Sequence, residues 1–260
     1  MLRKSNFVYF LVFVLLLSPF VGAAEKKFAS QFSKEEMFVY QELASYYESP
    51  DLAELVADGL LPPVEERLPK VPRVVKTNIM VDGTGQYGGV WRDTFAVPVE
   101  SWNWGAGKTQ GWFGINQMLH ESLIKTGPMW MLEEPDPIPN LATDWEWSKD
   151  GKTLTMNLVE GAKWSDGAPF TADDVMFTYY DYILDNNITS WVGTSAWTYN
   201  GKVTELEKVD DYTIKWHFNI AFPIHAFYNM DYLDFSVVPK HVYENFHPKY
   251  NKNASYDELL

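Results

Sequence analysis

One run of alternation constrains the fold of this chain more than any other feature. It is "TDWEWSKDGKTLTMNLVEG", Thr143 to Gly161. Leu154, Met156 and Leu158 alternate with Thr153, Thr155 and Asn157, the period of a strand with one buried face. Asp150-Gly151 separates this strand from "TDWEWS" and is a strong tight-hairpin signal. "KWSDGAPF" turns again at Asp166-Gly167. Thr171 to Asp174 then has capping-box spacing, and Val175, Tyr179 and Ile183 form one apolar stripe, so a helix is predicted from there. A second hairpin turns near Asp210-Asp211. Ile214, Trp216 and Phe218 alternate with Thr213, Lys215 and His217 beyond it. The region is a compact β-rich unit with a helix packed on it.

The flanks read differently. Residues 25–60 carry helical spacing. Ser33 and Glu36 fit a capping box, with Met37, Tyr40, Ala44 and Tyr47 along one face. A second helix is predicted from Ser49-Pro50, with Leu52, Leu55 and Val56 inward and a stop at Gly59. Four prolines between Leu61 and Pro72 predict an extended linker. "VVKTNIMV" and "GVWRDTFAV" read as strands on either side of "DGTGQYG". Trp112, Ile115 and Leu119 predict a helix beginning after Gly111. "VVPKHVYENF" predicts a strand, a proline and a short helix, and "YDELL" lies inside a further helical pattern.

The N-terminus predicts export. Arg3 and Lys4 precede an apolar run from Phe7 to Leu17, Ser18-Pro19 breaks it, and Gly22-Ala23-Ala24 supplies small residues for cleavage. That run is shorter than the roughly 20 residues of a spanning helix. Removal of residues 1–24 would take the formal net charge from −14 to −16, since Arg3 and Lys4 are the only charges lost. Such a surface argues against nucleic acid and anionic lipid as partners. The chain has no cysteine. Thiol catalysis, thiolate metal sites and a lipoprotein cleavage cysteine are therefore excluded, and a protein free in the periplasm is expected.

No catalytic motif in the chain is complete. Gly83, Gly85 and Gly88 have dinucleotide-loop spacing, but a strand pattern follows where pyrophosphate binding needs a helix N-terminus. Gly107-Lys108-Thr109 resembles the end of a phosphate loop, yet Trp102 stands where that loop needs glycine. The pairs Glu133/Glu134, Asp173/Asp174 and Asp210/Asp211 are sequence neighbours and point apart. Glycoside hydrolysis needs two carboxylates facing one another. The five histidines lack metal-binding spacing, and no nucleophile elbow occurs. No cofactor and no metal are expected.

Aromatic residues make up 16% of the chain and include 11 tryptophans. Trp145, Trp147, Trp164 and Trp216 fall on strand patterns or beside turns and read as core. Trp102, Trp104, Trp112, Trp191 and Trp197 lie in irregular segments, where both core packing and ligand contact stay open.

The segment Pro139–Ile183, with its Trp-bearing strand, Asp-Gly hairpin, "KWSDGAPFTADDV" and aromatic helix, resembles the signature region of the extracellular solute-binding proteins of family 5. "GGVWRDTF", "VDDYTIKWHFNIAFPIHAF" and "FSVVPKHVYE" extend the likeness over about residues 88–244. The resemblance implies a mixed α/β fold of the type II periplasmic-binding-protein kind, whose first lobe carries a β-rich subdomain. The implied divisions are a signal peptide at 1–24, a helical extension and Pro-rich linker at 25–72, and the first part of lobe I at 73–133. The subdomain follows at 134–239, with a return segment from 240 to 260. The second lobe is expected beyond residue 260. The implied function is that of a non-enzymatic, monomeric receptor that captures an oligopeptide, or alternatively an oligosaccharide, and passes it to an inner-membrane ABC permease. A secreted carbohydrate-active hydrolase or lectin-like module is the reading from a different class. The implied ligand-facing loops are about 97–111 and 190–199, which nominates Trp102, Asn103, Trp104, Lys108, Trp191 and Trp197.

Overall fold

The computed structural model of the chain describes residues 33–80, 83–90, 92, 120–125, 137–188, 193–231 and 235–259. Its centre is a four-stranded antiparallel sheet in the order β5–β6–β10–β9. Before it in the chain come β1 (Phe38–Tyr40), β2 (Arg73–Val75), β3 (Ile124–Lys125) and β4 (Ile138–Pro139). Strands β5 (Ala142–Trp147) and β6 (Thr153–Leu158) form the predicted hairpin, and Gly151 takes φ 67° at its turn. That left-handed conformation suits glycine, which has no Cβ to clash. Leu154 and Met156 are fully buried and Leu158 nearly so. Short ribbons β7 (Thr198–Tyr199) and β8 (Lys202–Val203) precede the second hairpin, β9 (Glu205–Asp210) and β10 (Thr213–His217). Trp216 sits between Leu154 and Leu206 across the sheet.

One long helical element covers this sheet. It starts as α4 (Ala172–Phe177), whose N-terminus is the predicted capping box. The Asp174 carboxylate accepts the Thr171 N–H at 2.9 Å. From Thr178 to Ile183 it continues as a π-helix, which nothing in the residue pattern signalled. The Thr178 hydroxyl donates to the Asp174 carbonyl at 2.7 Å and accepts the Val238 N–H at 3.0 Å. A side chain that bonds inside the helical ladder loosens it, and π turns arise at such places. The stripe Val175, Tyr179 and Ile183 is buried against Leu154, Met156, Ile214 and Trp216. The opposite side of the element packs Phe177 and Tyr182 against Val238 and Leu259, so both sides of it are covered.

The N-terminal part departs from expectation. Helix α1 (Lys34–Met37) has the predicted capping box, with Ser33 N–H on Glu36 at 2.9 Å, but it lasts one turn. Phe38–Tyr40 then pairs as a strand with Arg73–Val75. Helical spacing at Met37, Tyr40, Ala44 and Tyr47 loses here to a partner strand some 35 residues away, because tertiary pairing outweighs weak local propensity. Helix α2 (Pro50–Ala57) is capped by Ser49 as read, and Gly59 takes φ 71° after it. Leu52 and Leu55 are each 36% exposed, however, so they do not point into a core. The proline-rich stretch holds a one-turn helix, α3 (Val64–Arg67), fixed by an Arg67–Glu48 ion pair. Of "VVKTNIMV", Val74 and Val75 complete the strand Arg73–Val75, and a 3-10 turn follows at Thr77–Ile79.

At the other end, α5 (His225–Asp231), α6 (Lys240–Tyr243) and α7 (Tyr256–Leu259) follow the sheet. The strand read into "VV" before Pro239 is absent there; Ser236 makes a single bridge to Ser122 instead. Asp174 also accepts the Lys240 N–H at 2.9 Å, so one carboxylate caps α4 and anchors the start of α6. Burial raises the pKa of this carboxyl, and its two N–H partners oppose that rise.

Candidate functional site

Of the six residues nominated for ligand contact, Trp102, Asn103, Trp104, Lys108 and Trp191 lie outside the described residues. So does the helix predicted after Gly111. Trp197 is described, and the structure places it in the core and not on a ligand-facing surface. It has no exposed area. Its ring stacks on Trp216 with centroids 4.8 Å apart and planes at 13°, and Tyr179 and Phe235 meet it edge-on. The physical reason is the neighbouring apolar surface. Trp216, Tyr179 and Phe235 already make an aromatic wall, and a large flat ring gains more there than in water.

The segment around Trp197 is a firmly held stem. Gly193 opens it with φ 53°, and a 3-10 turn spans Thr194–Trp197. The Ala196 carbonyl accepts from Asn229 at 2.6 Å, and the Thr204 hydroxyl donates to the Trp197 carbonyl at 3.0 Å. Tyr179 reaches the Thr204 carbonyl at 2.5 Å. Burial pushes the Tyr199 phenol up to about 12 and raises the Tyr179 phenol as well, so both remain protonated, uncharged members of the stem. The stem therefore ends, at Gly193, two residues after Trp191.

Gly83, Gly85 and Gly88 lie in irregular backbone, with Gly83 at φ 81° and Gly88 at φ 100°, and most of the residues that follow them lie outside the described ones. Asp174 caps its helix and Asp210 accepts the Tyr212 N–H in its turn at 2.9 Å, while their neighbours Asp173 and Asp211 both pair with Lys208. His217 bonds Glu207 at 2.7 Å on the polar side of its strand. Among the described residues no cluster of His, Cys, Asp or Glu is arranged to hold a metal, and no helix is long and apolar enough to cross a membrane.

A groove that the residue pattern did not reveal lies between the N-terminal ribbon and the first sheet strand. It encloses about 350 Å³ and is walled by Glu35, Phe38 and Tyr40 on one side and Pro139, Asp144 and Trp145 on the other. Arg73, opposite Tyr40 in the ribbon, stands 5.8 Å above the Phe38 ring and donates to the Pro139 carbonyl.

The architecture is that of a periplasmic binding protein. A solved structure of such a protein, MelB of Agrobacterium fabrum C58 in complex with stachyose, superposes with a TM-score of 0.78 at 42% identity over 88% of this chain. An oligopeptide-binding protein OppA superposes with a TM-score of 0.61 at 32% identity over 84% of it. Residues 136–258 match the family described as bacterial extracellular solute-binding proteins, family 5 Middle. Among curated relatives, the periplasmic alpha-galactoside-binding protein of Rhizobium meliloti (strain 1021) is 44% identical over 229 residues, 87% of this chain. The dipeptide-binding protein of Escherichia coli (strain K12) is 37% identical over 90 residues, 30% of this chain. The chain spans 33% of the length of the first of these and 17% of the second, and 34% of the MelB chain.

Proposed function

We propose that this chain is part of the substrate-binding component of an ABC importer and that its solute is an oligosaccharide of the α-galactoside kind. The observation that carries the choice of solute is the extent of the likeness to the Rhizobium meliloti protein. It runs over 87% of the chain, more than residues 73–260 alone can supply, so it reaches into the N-terminal extension. The curated peptide-binding relatives cover 47% of the chain or less. The aromatic richness that nominated Trp102, Trp104 and Trp191 also suits a sugar, whose apolar ring faces stack on indoles while hydroxyls meet polar groups.

In this reading the protein binds its solute and does no chemistry on it. The solute is held in a cleft against Trp102, Asn103, Trp104, Lys108 and Trp191. The exported protein works in the periplasm as a monomer and delivers the solute to a permease in the inner membrane. The second reading is an oligopeptide solute, favoured by the OppA superposition.

Indole N–H resonances of ¹⁵N-labelled protein separate the two. Raffinose and stachyose are expected to shift the signals of Trp102, Trp104 and Trp191, and a tripeptide mixture to leave them in place. Shifts caused by tripeptides alone would transfer the case to the second reading. No shift with either would overturn both.

A further inference from the structure

We infer that the groove between the N-terminal ribbon and β5 is a binding site for one neutral hexose unit, formed by residues other than those proposed for the cleft. Its volume of about 350 Å³ falls within the range of small-molecule sites. Its walls come from segments a hundred residues apart. Phe38 and Tyr40 belong to the ribbon, while Pro139, Asp144 and Trp145 belong to the sheet's entry.

The lining selects the ligand by charge. Glu35 and Asp144 on the walls repel anions. The Arg73 guanidinium is fixed behind Phe38 and Pro139, where it opposes an incoming cation. A neutral ligand meets neither penalty. Asp144 is held in place by the Thr143 hydroxyl at 2.9 Å and the Asn157 amide at 2.6 Å, both neutral donors, and its carboxylate oxygens are acceptors for ligand hydroxyls. Tyr40 Oη is buried with no hydrogen-bond partner among the described residues. A buried phenol left in that state costs free energy. Burial also raises the Tyr40 pKa, which keeps the phenol a donor. The rings of Trp145, Phe38 and Tyr40 supply apolar faces between these polar groups, and aromatic faces combined with carboxylate acceptors fit a pyranose.

The aromatic surface continues past the groove. Phe227 lies 5.7 Å from Trp145 and 5.9 Å from Trp147, and Phe222 lies 5.5 Å from Trp147. Phe222 is 52% exposed. A longer saccharide seated at the groove would have this ridge along its path.

The test uses the 260-residue chain, since every wall residue lies within it. Amide resonances of residues 35–40 and 139–145 are followed while raffinose, methyl α-D-galactoside, arginine amide or glucuronate is added. Saturable shifts confined to these residues are expected with the two neutral sugars only. Val39→Phe, which narrows the groove from an edge strand, is expected to weaken that binding about tenfold. Unperturbed amides at 153–158 verify that the variant is folded. Absence of saturable shifts with the sugars, or preferential binding of either charged probe, would overturn the site. Because the cleft reading is read at Trp102, Trp104 and Trp191, one proposal can fail while the other stands.

Discussion

Gly151→Ala is the most informative single change in the β5–β6 hairpin. Two separate costs arise at this position. The first is backbone. Gly151 has φ 67°, and an L-residue forced into that region loses about 1–2 kcal/mol. The second is steric. A Cβ built on Gly151 would lie 2.4 Å from Phe222 Cε2 and 2.5 Å from Cδ2, well inside van der Waals contact. The Phe222 ring would have to swing away and would forfeit its edge contact with Trp147, worth roughly 0.5–1.5 kcal/mol. The total is roughly 2–3 kcal/mol, or a Tm lower by about 4–12 °C for a chain of this size. Phe222 is exposed, so Phe222→Ala alone should cost no more than about 1 kcal/mol. Its own φ is 47°, an unfavourable conformation for a bulky residue, held by its N–H bond to the Gly151 carbonyl at 2.8 Å. In the Phe222→Ala background, Gly151→Ala should retain only the backbone cost. Urea unfolding of the wild type, both single variants and the double variant measures the coupling, expected near 1 kcal/mol. Strict additivity would show that the ring does not sit over Gly151, and the steric part of the reasoning would be wrong.

Two further outcomes follow from buried histidines. Burial lowers the His120 pKa to about 4 from its ordinary 6.5. The unfolded chain then takes up a proton before the folded chain does, so stability present above pH 6.5 is lost as pH falls toward 4; His120→Gln should flatten the acid limb of a Tm-against-pH curve in that window, and an unchanged limb would remove His120 as its cause. His247 is 1% exposed; its Nε2 meets the Asp181 carbonyl at 2.9 Å, and its Nδ1 accepts the Lys249 N–H at 3.1 Å. His247→Ala leaves both of those partners unsatisfied and opens a void, a cost of about 2–4 kcal/mol, and should make residues 247–259 more open to limited proteolysis, whereas unchanged cleavage would show that the segment is held without it.

Much of the β-rich unit was legible before any coordinates. Leu154, Met156 and Leu158 had to share a face because the strand period is two. Asp150-Gly151 and Thr171–Asp174 carry their turn and cap chemistry within a few residues. The same local logic failed at Phe38–Tyr40, where helical spacing was present but a partner strand at Arg73–Val75 decided the outcome. It also missed the π turn at Thr178–Ile183, because the Val238 N–H bound by Thr178 lies 60 residues away. Trp197 shows the limit for site residues. Its irregular surroundings suggested a ligand wall, and only the positions of Trp216, Tyr179 and Phe235 made it core.

By itself, then, the sequence determined the hairpins, the caps and the apolar stripe of α4, all of which rest on patterns a few residues long or on the order in which such patterns recur. Tertiary structure alone decided that the N-terminal segment is a ribbon against the sheet, that Asp174 serves two helices, and that a charged and aromatic groove opens between Tyr40 and Trp145. Those features depend on contacts between residues tens to a hundred positions apart. A hydrogen bond or a ring contact across such a span leaves no periodic trace in the chain, because its geometry is set by how the elements pack and not by what stands next to each residue.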